Sequence, residues 1–170
     1  MKIIFLDIDG VLNSKASMRD LGIRNHWNDN PHPMHIKWLN KIVEETGAKV
    51  VISSTWRTSG SAVMFNRLLN LLGFKGDVID KTPNLDTYRG TEIKTWLNSH
   101  ADKILRYKDS QWYSNKEPIE SFVILDDDND MLELSATNLV LVNDGTGLQE
   151  EHAIKAIDIL NRGNNEKGQV

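Results

Sequence analysis

Four short runs of consecutive apolar residues stand out along the chain, and each stops at a polar residue. Ile3-Ile4-Phe5-Leu6 stops at Asp7, Ala48-Lys49-Val50-Val51-Ile52 at Ser53, Phe122-Val123-Ile124-Leu125 at Asp126, and Leu139-Val140-Leu141-Val142 at Asn143. Runs of this length without polar alternation fit strands buried on both faces, as in a parallel sheet. Asp77-Val78-Ile79-Asp80 is a weaker and shorter candidate of the same kind.

Between these runs the apolar positions fall at helical spacing. Met34 to Thr46 carries Ile36, Leu39, Ile42 and Val43, with Gly47 as a stop. Ala62 to Leu72 carries Phe65, Leu68, Leu69 and Leu72 before Gly73. Thr91 to Asn98 places Ile93, Trp96 and Leu97 on one face, and a last helix from about Leu148 to Leu160 faces inward with Ala153, Ile154, Ile157 and Leu160. Strands alternating with helices predict an α/β fold, a parallel sheet covered on both sides. In such sheets ligands bind beyond the carboxyl ends of the strands. That places Asp7, Ser53, Asp126 and Asn143 at one edge. Three segments read as irregular: a polar flap from Asn13 to Pro33, a mixed excursion from Ala101 to Glu120 that reads as a surface loop, and a frayed tail from about Asn161. The chain is thus read as one domain over 1–162, with the flap at 13–33 and a flexible tail at 163–170.

Composition narrows the function classes. The 170 residues suit a single core, 39% are hydrophobic, and the net charge of −4 provides no global field toward nucleic acid. The absence of Cys removes disulfides and thiolate metal sites. No apolar run approaches a membrane span or a signal peptide, so a soluble, cytoplasmic protein with no membrane contact and no obligate protein partner is expected.

The chemistry concentrates at the strand ends. Asp7 and Asp9, in LDIDGVLN, lie on one side of an extended chain and repel each other unless a cation sits between them. Mg²⁺, a hard cation that prefers carboxylate oxygens, fits that need. Asp7 is then the candidate nucleophile, Asp9 the general acid and base, and Gly10 lets the backbone turn close to bound substrate. Read alone, the pair is more readily a strand-end cap and an Asp-Gly turn, and the acids that follow tip the balance. Asp126, Asp127, Asp128 and Asp130 follow a buried strand, where adjacent carboxylates again call for a cation. Asp126 is the natural ligand, Asp127 and Asp130 are further candidates as ligands or orienting groups, and Asp128 faces solvent.

Ser53 offers a hydroxyl to a phosphoryl oxygen, whereas Ser54 and Thr55 suit capping, with Ser54 also near enough to touch substrate. Arg57 reaches either substrate or a carboxylate. A fixed positive charge on the transferring oxygens is expected from Arg89, just before a helix, with Lys94 as alternative and Lys81 as a poorer one. His26, His32 and His35 lack zinc-ligand spacing and read as loop histidines. NDGTG at 143–147 is a turn, with Asn143 and Asp144 at the rim.

Taken in order, LDIDGV, a strand-terminal Ser53, a basic residue and LDDDND resemble the four motifs of the haloacid dehalogenase (HAD) superfamily. VVISSTWR, RGTEI with WL, and VILDDDNDM are closer still to the small capless HAD domains of Swiss-army-knife RNA repair proteins. The resemblance runs from Met1 to about Leu160. It implies a three-layer α/β/α sandwich with a Rossmann-like core and no folded cap, Mg²⁺ as cofactor, and phosphatase activity on a phosphorylated nucleotide or nucleic-acid end. An uncapped site leaves the flap as the sole cover, where Arg24, His26 and Trp27 offer charge and a stacking surface. Two other readings compete. A receiver-like phospho-acceptor module also gathers acids at strand ends, but its acceptor Asp lies on a later strand than its acidic pair. A catalytically degenerate binding protein would retain the fold without the reaction.

Overall fold

The computed structural model describes residues 1–20, 30–109 and 117–165, with the backbone alone for residue 20, residues 101–109 and residues 163–165. Five parallel strands form the centre: β1 (Lys2–Leu6), β2 (Lys49–Ile52), β3 (Val78–Lys81), β4 (Ser121–Asp126) and β5 (Leu139–Leu141), in the spatial order β3-β2-β1-β4-β5. Five helices accompany them: α1 (Lys15–Asp20), α2 (Pro33–Thr46), α3 (Ala62–Leu71), α4 (Arg89–Asp109) and α5 (Glu150–Asn165). This is a Rossmann-like α/β core with no cap evident among the described residues.

The two faces of the sheet are built by strand parity. Ile4, Leu6, Val50, Ile52, Val123 and Leu125 point into one core, which α2, α3 and α5 close with Ile36, Leu39, Phe65, Leu69, Ala153 and Leu160. Ile3, Phe5, Val51 and Ile124 point the other way, where α4 supplies Ile93 and Trp96. Because β1 is central, all its apolar residues are fully buried; hence the unbroken run in the sequence.

Local sequence sets the helix starts. His32 caps α2 by accepting from Met34 N, with Pro33 at the first helical position. Ser61 caps α3 in the same way. Two expectations need correction. Residues 101–109 are not a loop but continue α4, which begins at Arg89 and is more than twice the predicted length; 110–116 lie outside the described residues. Likewise α5 continues past Leu160 to Asn165, through part of the expected tail. The extension of α5, Asn161 to Asn165, has no apolar position to signal it, whereas Ile104 and Leu105 continue the α4 spacing among charged residues. Short 3₁₀ turns at Thr55–Thr58 and Leu132–Ala136 also went unread. Of the flap, α1 occupies the first part; Arg24, His26 and Trp27 lie outside the described residues.

The register sets up the site. Leu6 pairs with both Ile52 and Leu125, so Asp7, Ser53 and Asp126 emerge side by side from the three central strands. Asp7 N donates to Leu125 O at 2.9 Å and Ser53 N to Leu6 O at 2.8 Å, extending the ladders by one residue.

Candidate active site

Asp7, Asp126 and Asp127 bring one carboxylate oxygen each within 4.8 Å of one another. Asp7 is 5% exposed and Asp126 fully buried. Arg89, the first residue of α4, reaches across from the opposite layer, its guanidinium 2.9 Å from Asp7 Oδ2 and 2.8 Å from Asp126 Oδ2. Among the described residues, three clustered carboxylates therefore face one cation. Burial raises the Asp7 carboxyl above its ordinary range against the opposing pull of Arg89. Burial and then the Asp7 charge push Asp126 up to about 8. Burial and Asp7 also raise Asp127. Burial would lower Arg89, but Asp7 and Asp126 outweigh it and hold the guanidinium firmly charged.

Two close backbone approaches make this packing feasible. Gly10 has φ +73°, and a Cβ there would lie 2.3 Å from an Asp127 oxygen; only glycine admits both the turn and the neighbouring carboxylate. A Cβ on Gly90 would meet Met131 O at 2.3 Å. That contact presses the start of α4 onto the acidic loop, where Asp130 accepts from Arg89 N through its side chain and from Gly90 N through its carbonyl. Asp130 thus caps the helix that carries Arg89 and stands apart from the three clustered acids.

Asp9 is placed differently from Asp7. Its Oδ1 accepts from Asn13 Nδ2 and its Oδ2 from Trp56 Nε1, each at 2.9 Å, and Asn13 Oδ1 in turn accepts from Gly10 N. The carboxylate of Asp9 is outside the metal-competent group. Of the two serines, Ser54 caps the 3₁₀ turn, its Oγ accepting from Trp56 N. Ser53 Oγ is fully buried and has no hydrogen-bond partner among the described residues.

The remaining candidates are engaged elsewhere. Arg57 is buried in an ion pair with Glu92 at 2.5 Å and also donates to Ser54 O, Pro83 O and Asn84 Oδ1. It ties the turn after β2 to α4 through the buried Glu92. Lys94 pairs with Glu133 on the surface and is not among the groups touching Asp7 or Asp126. Lys81 donates to Arg57 O and Gly60 O. Asp144 pairs with Lys15, and Asn143 accepts from Gly145 N within its turn. His35 is not a loop histidine: it is fully buried between Ser14 Oγ and Leu148 O. Trp56, Asn13 and Glu92 were missed. Glu92 had a readable signal, an acid on the apolar face of a helix beside Ile93 and Trp96; Trp56 had none, because an indole after a Ser/Thr cluster reads equally as core.

A family model describing the HAD domain in Swiss Army Knife RNA repair proteins matches residues 3–153. The chain belongs to that family, and so to a superfamily of hydrolases and phosphatases. Searches of curated proteins and of solved structures found no match.

Proposed function

We propose that this chain is a Mg²⁺-dependent phosphomonoester hydrolase in which Asp7 takes the phosphoryl group, acting on a nucleotide or a polynucleotide-end phosphate. The observation that carries the reading is the buried excess of acid at the end of β1 and β4: three carboxylates against one guanidinium, with pKa values driven up by burial and mutual repulsion. A site whose charge is unbalanced when empty is suited to a cation. Asp7, Asp126 and Asp127 would hold Mg²⁺, an oxygen-seeking ion that offsets phosphate charge when bound.

The protein groups then divide the work. Arg89 and Ile8 N fix the Asp7 carboxylate, one oxygen each, for attack on phosphorus. As the P–O bond to the leaving group breaks, Asp9 gives its proton to the departing oxygen. In the second half Asp9 takes a proton from water, whose oxygen attacks phosphorus and frees Asp7. The unpartnered Ser53 hydroxyl is a donor in reserve for a phosphoryl oxygen, and Arg89 supplies fixed positive charge beside it. The nucleotide or nucleic-acid end is suggested by the family description and by the uncapped site. A cytoplasmic location is part of the same reading; no helix among the described residues is long and apolar enough to cross a membrane.

The test is phosphate release with Mg²⁺ from 3′- and 5′-phosphorylated oligonucleotides, mononucleotides and small esters. Asp7→Asn is expected to lose about 10³-fold or more. Full activity of that variant would sink the assignment, and turnover confined to small esters would remove the nucleic-acid part of it.

A further inference from the structure

The turn that follows β2 touches the second carboxylate of the Asp7–Asp9 pair: Trp56 within it donates to Asp9. The turn has its own anchor in Arg57, whose guanidinium grips Ser54 O and the buried Glu92 of α4. Trp56 itself is half-buried and packs against the core formed with α2, α3 and α5. Its indole N–H therefore projects from a rigid support. Asp9 lies just past the end of β1, in a loop whose sheet hydrogen bonds have stopped. A carboxylate there has free torsions unless something holds it, and a proton donor misplaced by about 1 Å loses much of its effect. With Asn13 Nδ2 on Oδ1 and Trp56 Nε1 on Oδ2, both Asp9 oxygens are fixed, and each keeps a lone pair for the transferred proton.

We infer that Trp56 is a positioning residue for Asp9: its indole N–H, opposite the Asn13 carboxamide, sets the plane from which Asp9 hands a proton to the leaving oxygen and later recovers one from water. The inference rests on the phosphatase reading above. Trp56 touches no reacting atom; it acts through Asp9. Its alternative, a core indole that merely finds the nearest acceptor, predicts no dependence on how badly the leaving group needs a proton.

The experiment compares wild type and Trp56→Phe, which keeps a ring against the core and removes the N–H. The ratio kcat/KM is measured with Mg²⁺ across a series of phosphate monoesters from p-nitrophenyl to alkyl. This ratio reports the steps through loss of the leaving group, whichever later step limits kcat. A p-nitrophenolate leaves without a proton and an alkoxide does not, so the variant should lose about tenfold on the alkyl ester and less than about twofold on the aryl ester. Equal losses across the series, or none, would overturn the role. A second readout needs no activity. In ¹H–¹⁵N spectra of the full chain, the indole peak missing from Trp56→Phe is that of Trp56, and Asp9→Ala should move it upfield while leaving the other four tryptophans in place. An unmoved peak would overturn the contact. An inactive wild type with a moving peak would overturn the catalytic role through the phosphatase reading, and leave the contact standing.

Discussion

The molecule holds buried charge in two places, about one strand apart, and treats it in opposite ways. Arg57 and Glu92 form a balanced pair, 7% and 2% exposed, in which Glu92 also accepts from Leu85 N and Arg57 spends its donors on two carbonyls and an amide. Asp7, Asp126 and Asp127 share a single guanidinium, and Ser53 Oγ beside them has no partner among the described residues. A pair whose charges balance and whose groups are engaged on both sides can do little but hold parts together. An unsatisfied cluster costs stability and persists where something binds it. Sequence alone does not separate the two, because both are made of the same acids and arginines; the count of partners does.

The sharpest way to break the comparison is Arg57→Ala. It leaves Glu92 buried without its cation, and the loss expected from such an orphaned charge is about 3–5 kcal/mol. A urea titration checks it. A loss below about 1 kcal/mol would mean that Glu92 takes up a proton or water at little cost, and that the pair is less structural than its geometry implies.

The acidic cluster should respond to its missing counter-charge in the opposite sense. Mg²⁺ at 100 times its dissociation constant should stabilise the wild type by about 2.7 kcal/mol, read as a rise in Tm. Asp126→Asn should remove most of that rise and, without metal, should leave the protein about as stable as the wild type at neutral pH, where burial and Asp7 already keep the carboxyl protonated. The pH dependence follows the same logic. Asp126 is raised from 3.8 to about 8, so the folded state binds the extra proton between those values. The contribution of this group to metal-free stability is therefore largest below pH 4 and is lost as pH rises toward 8. A Tm that ignores Mg²⁺ at neutral pH would place the cluster with the structural pair.

How much of this was legible in the sequence follows from the same distinction. The parallel sheet was readable because β1, β2 and β4 are buried on both faces and so appear as unbroken apolar runs, and Asp7, Ser53 and Asp126 were readable because each ends such a run. The far half of α4 was missed although Ala101, Ile104 and Leu105 continue the spacing of Ile93 and Leu97. The charged residues between them make the segment read as a surface loop. In the sequence Arg89 ranks above Lys94 only because it precedes a helix, and Arg57 stands open between substrate and a carboxylate. What separates them is a partner distant in sequence, Glu92 for Arg57, Glu133 for Lys94, and two strand-end acids for Arg89. Pairing between elements is a tertiary fact that no local window contains.

His35 offers the smallest and most specific test, because it is a third buried polar group that avoids the problem by staying neutral. Its Nδ1 reaches Leu148 O and its Nε2 the Ser14 hydroxyl, each at 3.0 Å, which joins the base of the flap to α2 and to the segment leading into α5. The carbonyl accepts only, so Nδ1 carries the proton and Nε2 accepts from Ser14. Burial, against the pull of the Leu148 carbonyl, holds the imidazole below its ordinary 6.5. In the window below 6.5 the unfolded chain therefore binds the proton first, and this group's contribution to stability is lost as pH falls. A His35→Gln variant offers the same donor and acceptor without a titrating ring. It should cost about 1–2 kcal/mol at pH 7 from imperfect packing. Between pH 7 and pH 5 the gap to wild type should then narrow, because only the wild type has a buried imidazole to protonate. Urea midpoints at the two pH values decide it. A gap that stays constant would mean His35 takes up its proton alike in the folded and unfolded chain, and a gap that widens would mean it is charged in the folded protein.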